Sequence, residues 1–250
     1  MNFKLLVQYD GTEFHGWQIQ NGLRTVQGEL TNALSLIEGR EVSVHGSGRT
    51  DAGVHAEGQV ASVVLEREIS PEKLRAAING NVGKDVRILT AEAVPDDFHA
   101  RYSAIEKTYA YRVINAAVMS PFWSRYAHHE ARPLDVAKMH NCAKLFLGEH
   151  DWTAFSAAQS DVENRVRTIT ALDIEAFQDK RACGRVIQIK VTANGFLRYM
   201  VRSIAGALLA TGRGEIDMQL IADAIVLAKR PLEVVTAPPC GLTLVCVRYD

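Results

Sequence analysis

The stretch that organises the first half of the chain is Gly46-Ser47-Gly48-Arg49-Thr50-Asp51-Ala52-Gly53-Val54-His55-Ala56-Glu57-Gly58, which holds four glycines in thirteen residues. It lies between two apolar runs, Val42–His45 and Val60–Leu65, and both runs are typical of strands. Because glycine adopts backbone conformations that other residues avoid, a loop of this composition lets the main chain approach another molecule closely. We therefore predict that this loop, held between two strands, carries the chemistry of the protein.

Two glycine-rich phosphate-binding motifs do not fit this stretch. A P-loop requires a Lys-Ser or Lys-Thr pair after its last glycine, whereas Gly53 is followed by Val54 and His55. A dinucleotide-binding fingerprint requires glycine at the position of Asp51 and a helix after the loop, but here a strand follows. Both kinds of nucleotide site are excluded.

The loop carries a lone carboxylate, Asp51, flanked by Arg49 and His55. A nearby guanidinium favours the ionised carboxylate, which is the form that a nucleophile or a general base needs. The same residues also fit a structural interpretation, in which Asp51 caps a turn and Arg49 is a surface charge. His55 has no partner at metal-ligand spacing, which favours an ordinary polar role for it.

Hydrophobic periodicity outside the loop predicts an α+β protein. Strands are predicted at Phe3–Tyr9, Tyr109–Ile114, Ile169–Phe177, Arg185–Val191 and Leu242–Val247. Helices are predicted from Thr25 to Gly39, Ser70 to Ile78, Asp135 to Gly148, Phe196 to Leu209 and Met218 to Ala228. Two successive rounds of strand, helix and paired strands indicate two similar halves, with helices packed on mostly antiparallel sheet.

The composition is that of an ordinary globular protein. Of 250 residues, 47% are hydrophobic and 23% are charged, so we expect one large domain with a sizeable core and exclude disordered and fibrous classes. No apolar run reaches the roughly eighteen residues of a membrane span, and the amino terminus turns polar too soon for a signal peptide. The four cysteines never form a C-x-x-C pair, which argues against a zinc ribbon or a disulfide framework. We therefore expect a cytosolic protein with reduced thiols.

The charges are unevenly distributed although the formal net charge is −1. Residues 1–97 hold 9 basic and 14 acidic residues, whereas residues 98–202 hold 15 basic and 10 acidic ones. The middle of the chain is thus able to form a locally basic surface, the kind of surface that binds a polyanion.

The loop resembles the active-site motif of the tRNA pseudouridine synthase A family over Gly48-Arg49-Thr50-Asp51-Ala52-Gly53-Val54-His55-Ala56. Other segments that resemble this family are Tyr9-Asp10-Gly11-Thr12, Phe14, Gly16-Trp17-Gln18 and Gln20; Phe98-His99-Ala100-Arg101, Lys107-Thr108-Tyr109 and Tyr111-Arg112; Asn194-Gly195-Phe196-Leu197, Met200-Val201-Arg202 and Gly206; and Pro239-Cys240-Gly241-Leu242-Thr243-Leu244 with Tyr249. The resemblance runs in order from residue 9 to residue 249 without a large insertion.

This resemblance implies a single catalytic domain over residues 1–250, with two pseudo-symmetric halves, about 1–105 and 106–250, around a central basic cleft. It implies a homodimer whose partner is tRNA and which uses neither a metal nor an organic cofactor. The implied reaction is the isomerisation of uridine to pseudouridine at positions 38, 39 and 40 of the tRNA anticodon stem-loop.

The resemblance also implies roles for four residues. Asp51 corresponds to the catalytic aspartate, Tyr109 to the aromatic residue on the target base, and Arg202 to the partner of the aspartate. Arg49 is implied to help open the stem around the flipped nucleotide. Taken alone, Tyr109 also fits an ordinary strand aromatic, whereas a cation on an apolar helix, such as Arg202, favours a position that faces a partner.

The isomerisation requires that the N1–C1′ bond breaks, that the uracil turns, and that C5 joins C1′. A carboxylate suits two routes, attack on C1′ or removal of a proton to give a glycal, and the sequence does not choose between them. Phosphate contacts are expected from residues such as Arg101, Lys107, Arg112 and Arg198.

Two other functions stay open at this stage. One is a noncatalytic RNA-binding module. The other is a glycoside or nucleoside hydrolase, although most such enzymes use two carboxylates and the glycine-rich stretch adds only Glu57 to Asp51.

Overall fold

The computed structural model describes residues 1–158 and 162–250. Over these residues it contains ten strands: β1 (Asn2–Tyr9), β2 (Val44–Gly46), β3 (His55–Val64), β4 (Val86–Val94), β5 (Glu106–Asn115), β6 (His128–Glu130), β7 (Gly148–Asp151), β8 (Val166–Asp179), β9 (Gly184–Ala193) and β10 (Leu242–Arg248). The same residues form five α-helices: α1 (Val26–Glu38), α2 (Pro71–Asn81), α3 (Val136–Ala143), α4 (Met200–Gly212) and α5 (Met218–Val226). The predicted α+β class with mostly antiparallel strand pairing is confirmed.

The chain divides into two compact units. Unit 1 contains Met1–Ile105 together with Thr243–Asp250, and unit 2 contains Glu106–Leu242. Nearly all of β10 therefore belongs to unit 1, although it follows unit 2 in the sequence. The internal symmetry of two halves stays a prediction.

The sheet of unit 1 has the strand order β4-β1-β3-β10, and β2 pairs with β3. Strand β1 is antiparallel to both β3 and β4, whereas β10 runs parallel to β3. Along β1 the side chains of Phe3, Leu5 and Val7 are fully buried and alternate with more exposed residues, which is the period of a strand with one face on the core. This alternation fixes the face on which Tyr9, the last residue of β1, is buried.

Helix α1 begins and ends where the sequence predicts. The Thr25 side chain accepts the Gly28 N–H at the first turn, which satisfies one of the donors that a helix start leaves unpaired. Gly39 ends the helix with φ +82°, a left-handed conformation that glycine adopts at little cost. Leu30 and Leu34 on one face of α1 are fully buried and belong to the core.

The sheet of unit 2 has the strand order β5-β9-β8-β7, and β6 pairs with β5 in parallel. The pairs of β5 with β9, β9 with β8 and β8 with β7 are antiparallel. Helix α4 is the central helix of this unit: in its 13 residues, all of which the structure describes, every residue except Arg202 is buried. A cation thus stands alone on an otherwise buried helix.

Four features differ from the sequence prediction. Strand β3 begins at His55, inside the stretch expected to be loop, because His55 and Ala56 pair with β10. Helix α3 ends at Ala143, and the glycine expected to stop it, Gly148, begins β7 with φ +96°. The helix expected from Phe196 begins only at Met200, since Tyr199 lies in the left-handed region with φ +65°. The prediction also missed β4, β6 and β7.

None of the helices in the described residues is long and apolar enough to cross a membrane. All four cysteines are free thiols. Burial raises the pKa of the Cys142 thiol, which accepts a weak hydrogen bond from the Thr211 hydroxyl, so this cysteine packs as a small apolar side chain.

Candidate active site

The loop from Ser47 to Val54 joins β2 to β3 and is held at its start by Gln59, a fully buried residue of β3. The Ser47 hydroxyl donates to the Gln59 Oε1 atom at 2.6 Å, and the Gln59 Nε2 atom donates to the carbonyl of Gly48 at 3.0 Å. The Ser47 N–H donates to the carbonyl of Val60 at 2.7 Å. The first turn of the loop is therefore attached to the strand that it leads into.

The middle of the loop is attached to the segment that follows β1. The Trp17 N–H donates to the carbonyl of Thr50 at 3.0 Å, and the Gly53 N–H donates to the carbonyl of Phe14 at 3.2 Å. Between these two bonds Gly16 has φ +92°, and a Cβ atom there would lie 2.6 Å from the Thr50 carbonyl oxygen. The two segments approach so closely that only glycine fits at residue 16.

Thr50 is buried, and its hydroxyl oxygen lies 2.8 Å from that of Tyr9. Burial raises the pKa of the Tyr9 hydroxyl to about 12, and this effect outweighs the opposing hydrogen bonds from Thr50 and Gln59. Tyr9 is therefore neutral at physiological pH and is able to act as a hydrogen-bond donor beneath the loop. Strand β1 thus fixes the residue that lies between Arg49 and Asp51.

Arg49 is exposed and Asp51 is half-buried, whereas Thr50 between them is buried. The Asp51 carbonyl accepts the Val54 N–H at 3.1 Å, and this closes a turn in which Gly53 has φ +75°. The loop therefore anchors itself through Thr50 and presents a carboxylate and a guanidinium on either side of that anchor. Asp51 therefore takes part in a turn through its main-chain carbonyl, while its side chain is half-buried.

His55 lies directly after the loop and is buried. Its Nδ1 atom accepts the Gly11 N–H at 3.0 Å and lies 3.2 Å from the Asp10 Oδ1 atom. Because Nδ1 acts as an acceptor, the neutral ring carries its proton on Nε2. Among residues 1–158 and 162–250, no group of three His, Cys, Asp or Glu side chains is arranged to hold a metal ion.

Tyr109 lies on β5 in unit 2 and is only 6% exposed. Its ring meets the ring of Phe196 edge to face, with the centroids 5.1 Å apart and the planes at 85°. This is a favourable geometry for two aromatic rings. The strand and the Asn194–Leu197 segment together fix the orientation of Tyr109.

Arg202 is held on α4 by the segment that follows α5. Its Nε atom donates to the carbonyl of Ala237 at 2.8 Å, and the Ala237 N–H donates back to the carbonyl of Arg202 at 3.0 Å. The same approach is visible at Gly206, where a Cβ atom would lie 1.8 Å from the Val235 carbonyl oxygen. One end of the guanidinium group is therefore fixed by main-chain contacts.

Two aromatic residues around Arg202 were given no catalytic or binding role by the sequence analysis. Tyr199 has its ring centroid 5.0 Å from the Arg202 guanidinium and 4.7 Å from that of Arg198, whose Nη2 atom also donates to the Tyr199 hydroxyl at 2.9 Å. Burial raises the pKa of Tyr111, and the positive charge of Arg202 opposes this shift. No sequence signal marks a left-handed tyrosine, since its conformation arises from packing.

Four cations were expected to contact phosphates. Arg101 and Arg198 are exposed, whereas Lys107 and Arg112 are half-buried. The Arg112 Nε atom donates to the Gln188 Oε1 atom at 3.2 Å, so part of its donor capacity is used within unit 2.

Of the four residues expected to carry the chemistry, Arg49 and Asp51 lie together in one loop of unit 1, while Tyr109 and Arg202 lie in unit 2.

These features define the class of the protein. It is an α+β protein that carries a half-buried aspartate on an anchored glycine-rich loop. Comparison with known proteins specifies the family. A family model described as tRNA pseudouridine synthase matches residues 5–103 and 142–250. The chain belongs to this family, and it is an enzyme of the isomerase class.

Curated relatives named tRNA pseudouridine synthase A match the chain over nearly its whole length. The relative from Solibacter usitatus is 44% identical over 98% of this chain and 98% of its own length. Those from Listeria monocytogenes and Thermodesulfovibrio yellowstonii are 40% and 38% identical and cover 99% and 100% of both chains, respectively. A chain in the crystal structure of a Cbf5-Nop10-Gar1 complex is 14% identical with a TM-score of 0.34, covering 83% of this chain and 54% of that one, which is too slight a similarity to interpret.

Proposed function

We propose that this pseudouridine synthase converts uridine to pseudouridine at positions 38, 39 and 40 of the tRNA anticodon stem-loop, with Asp51 as its catalytic carboxylate. The observation that carries the proposal is the anchored loop, in which buried Thr50 bonds to Tyr9 and the adjacent Asp51 is half-buried. The full-length similarity to relatives named tRNA pseudouridine synthase A supports the choice of tRNA.

The loop supplies a carboxylate whose position is set before substrate binds. Main-chain bonds from Trp17 and to Phe14 hold the loop on both sides of Asp51. A reacting group that is fixed in this way loses little conformational freedom when it meets its target, which lowers the barrier of the chemical step. Asp51 is therefore suited to act on one ribose carbon.

The reaction itself is an exchange of two bonds within one nucleotide. The N1–C1′ bond breaks, the uracil turns without leaving, and the C5–C1′ bond forms. The hydrogen on C5 leaves as a proton and N1 takes up a proton, so the product is an isomer of uridine. Asp51 either attacks C1′ and is later displaced by C5, or removes a sugar proton to give a glycal and returns it. Both routes need the ionised form of the carboxylate.

The other three residues take the roles that the family resemblance implies. The target base must leave the helical stack at a cost of about a few kcal/mol, and exposed Arg49 helps to open the stem. Tyr109 contacts the uracil with its ring. Its hydroxyl is able to take part in removing the proton from C5 after the C5–C1′ bond has formed. Arg202 favours the ionised state of the catalytic carboxylate.

We also propose that the enzyme works as a homodimer, as the family resemblance implies, and that it acts in the cytoplasm, as the sequence analysis expects. Sedimentation analysis of the purified protein tests the first. A single species of 27.6 kDa, the mass of one chain, would contradict it. Fluorescence microscopy of a tagged copy tests the second.

The decisive experiment is tritium release from tRNA transcripts labelled at uridine C5, with the product position mapped by nucleoside mass analysis. Release from the wild type is expected to map to positions 38–40 and to be lost in Asp51→Asn. Glu57→Gln is the matched control, because Glu57 is a half-buried carboxylate of the adjacent strand, and it is expected to retain release.

Each alternative function has its own outcome in this assay. Free uracil in the medium would identify a hydrolase. RNA binding without tritium release would identify a noncatalytic RNA-binding module. Tyr109→Phe separates the two jobs of Tyr109, since it keeps the ring against Phe196 and removes only the hydroxyl.

A further inference from the structure

Three rings on unit 1 pack against one another in a row, with their planes tilted by 36° and 37°. The rings of His45 and His99 have centroids 5.0 Å apart, and those of His99 and Tyr102 have centroids 4.4 Å apart. His45 belongs to β2, while His99 and Tyr102 lie in the turn between β4 and β5. The last ring, that of Tyr102, is 77% exposed.

The turn that carries Tyr102 is fixed by His99. The Nδ1 atom of His99 accepts the N–H groups of Arg101 and Tyr102, at 3.0 and 3.4 Å. The backbone of His99 in turn bonds to Ser103 twice: its N–H donates to the Ser103 hydroxyl, and its carbonyl accepts the Ser103 N–H. The direction of the exposed ring is therefore set by the fold.

The same turn is also attached to the sheet of unit 1. The Ala100 N–H donates to the Ser62 hydroxyl of β3 at 3.1 Å, and the Ala100 carbonyl accepts the hydroxyl of Tyr249 at 2.6 Å. Ala100 is fully buried. An exposed aromatic ring on a turn that is anchored from two sides is a rigid platform, which loses little side-chain entropy when another ring stacks on it.

The chemistry around the platform is that of a nucleic-acid contact. The Arg101 guanidinium lies 5.7 Å from the centre of the Tyr102 ring, and Arg101 is exposed. Aromatic rings bind unpaired bases by stacking, and an adjacent arginine binds the phosphate or stacks on the base itself. Burial lowers the pKa of His99, as do the charges of His45 and Arg101, so His99 keeps its acceptor atom at neutral pH.

We propose that Tyr102, supported by His99 and flanked by Arg101, is a preformed RNA contact on which an unpaired base of the substrate stacks while Arg101 binds a neighbouring phosphate. The assignment of RNA as the partner rests on the proposed function. The contact contributes affinity for the RNA and takes no part in bond making.

The test is the dissociation constant of each variant for an anticodon stem-loop RNA, measured by filter binding over a range of salt concentrations. Tyr102→Ala is expected to bind about tenfold more weakly, the typical loss of one base stack, whereas Tyr102→Phe keeps the ring and binds as the wild type does. Arg101→Gln is expected to reduce the slope of the logarithm of RNA affinity against the logarithm of salt concentration by about one, the effect of losing one phosphate contact.

Two control variants carry the same changes at other surfaces. Phe122→Ala removes a ring that is 72% exposed on a loop of unit 2, and Arg75→Gln removes an exposed arginine of α2. Both are expected to bind RNA as the wild type does. Urea unfolding of every variant confirms that the fold is kept.

The outcomes separate this inference from the proposed function. Wild-type affinity in Tyr102→Ala, with normal tritium release, would overturn the inference and leave the proposed function intact. Weaker binding by Tyr102→Ala, in a protein that releases no tritium, would support the RNA contact and contradict the activity. A changed sedimentation coefficient with unchanged RNA affinity would make this surface a protein interface and overturn the inference.

Discussion

The hydroxyl oxygens of Tyr9 and Thr50 lie 2.8 Å apart, in the interior of unit 1. Tyr9 is the last residue of β1, and Thr50 separates the two functional candidates Arg49 and Asp51. Because the sheet fixes Tyr9, this single bond attaches the loop that carries Asp51 to strand β1. Tyr9 pairs with Ala56 on β3, after a shift in register between Val7 and Tyr9.

The first prediction concerns this bond. Tyr9→Phe and Thr50→Val each remove one hydroxyl while keeping the shape of the side chain, and each is expected to lower the free energy of unfolding by about 1 to 2 kcal/mol. The double variant should lose less than the sum of the two, because the hydroxyls share one interaction. Urea unfolding gives the free energy of unfolding of the wild type, the two single variants and the double variant. Strictly additive losses would show that the hydroxyls act independently.

The second prediction concerns the close approach at Gly16. Gly16→Ala places a Cβ atom 2.6 Å from the Thr50 carbonyl oxygen at a residue with φ +92°, so it combines backbone strain with a clash. Gly22→Ala is the matched control, since φ there is +72° and nothing lies within 4 Å. We expect the control to cost about 1 to 2 kcal/mol and Gly16→Ala to cost clearly more in urea unfolding. Equal losses would contradict the close approach.

The third prediction concerns Arg202. Arg202→Met keeps an apolar side chain on α4 and removes the charge, and we expect turnover to fall about 100-fold or more, with a much smaller change in RNA affinity. Single-turnover tritium release and filter binding measure the two effects. Parallel losses of turnover and affinity would show that Arg202 only binds RNA.

The fourth prediction concerns the titration of His99. Burial disfavours its charged form, and His45 and Arg101 repel it, so its pKa lies below the ordinary value of 6.5. As the pH falls below 6.5 the unfolded chain takes up this proton first, and the contribution of neutral His99 to stability is lost. NMR titration is expected to show a midpoint below 6.5 for the resonance that disappears in His99→Asn. A midpoint at or above 6.5 would contradict the buried, repelled environment.

Local signals predicted much of the fold. Thr25 and Gly39 mark the two ends of α1 because a cap and a left-handed glycine depend on neighbouring residues alone. Strand β4 was missed because most of its residues are half-buried or exposed, which gives no continuous apolar run. The true start of α4 was missed because packing holds Tyr199 in a left-handed conformation that apolar content does not reveal.

The candidate site likewise has features that are visible in the sequence and features that only the structure shows. The glycine-rich loop and Asp51 are visible in the sequence, since their composition is unusual over a few neighbouring residues. The anchoring of that loop is not visible, because Tyr9 and Thr50 are 41 positions apart and meet only through the sheet. Tyr102 likewise looks like an ordinary surface residue in the sequence, because its ring contact with His99 is visible only in the structure.

Strand β10 has a consequence for how the protein is made. Thr243 and Leu244 pair with His55 and Ala56 at the start of β3. The strand edge beside the loop that carries Asp51 is therefore completed only by residues that follow the whole of unit 2. During synthesis on the ribosome, unit 1 must wait for some 140 further residues, about ten seconds or more at usual elongation rates, with that edge unpaired. An open edge is prone to pair with other chains. We therefore expect the nascent enzyme to fold best when this edge stays protected until the last strand emerges.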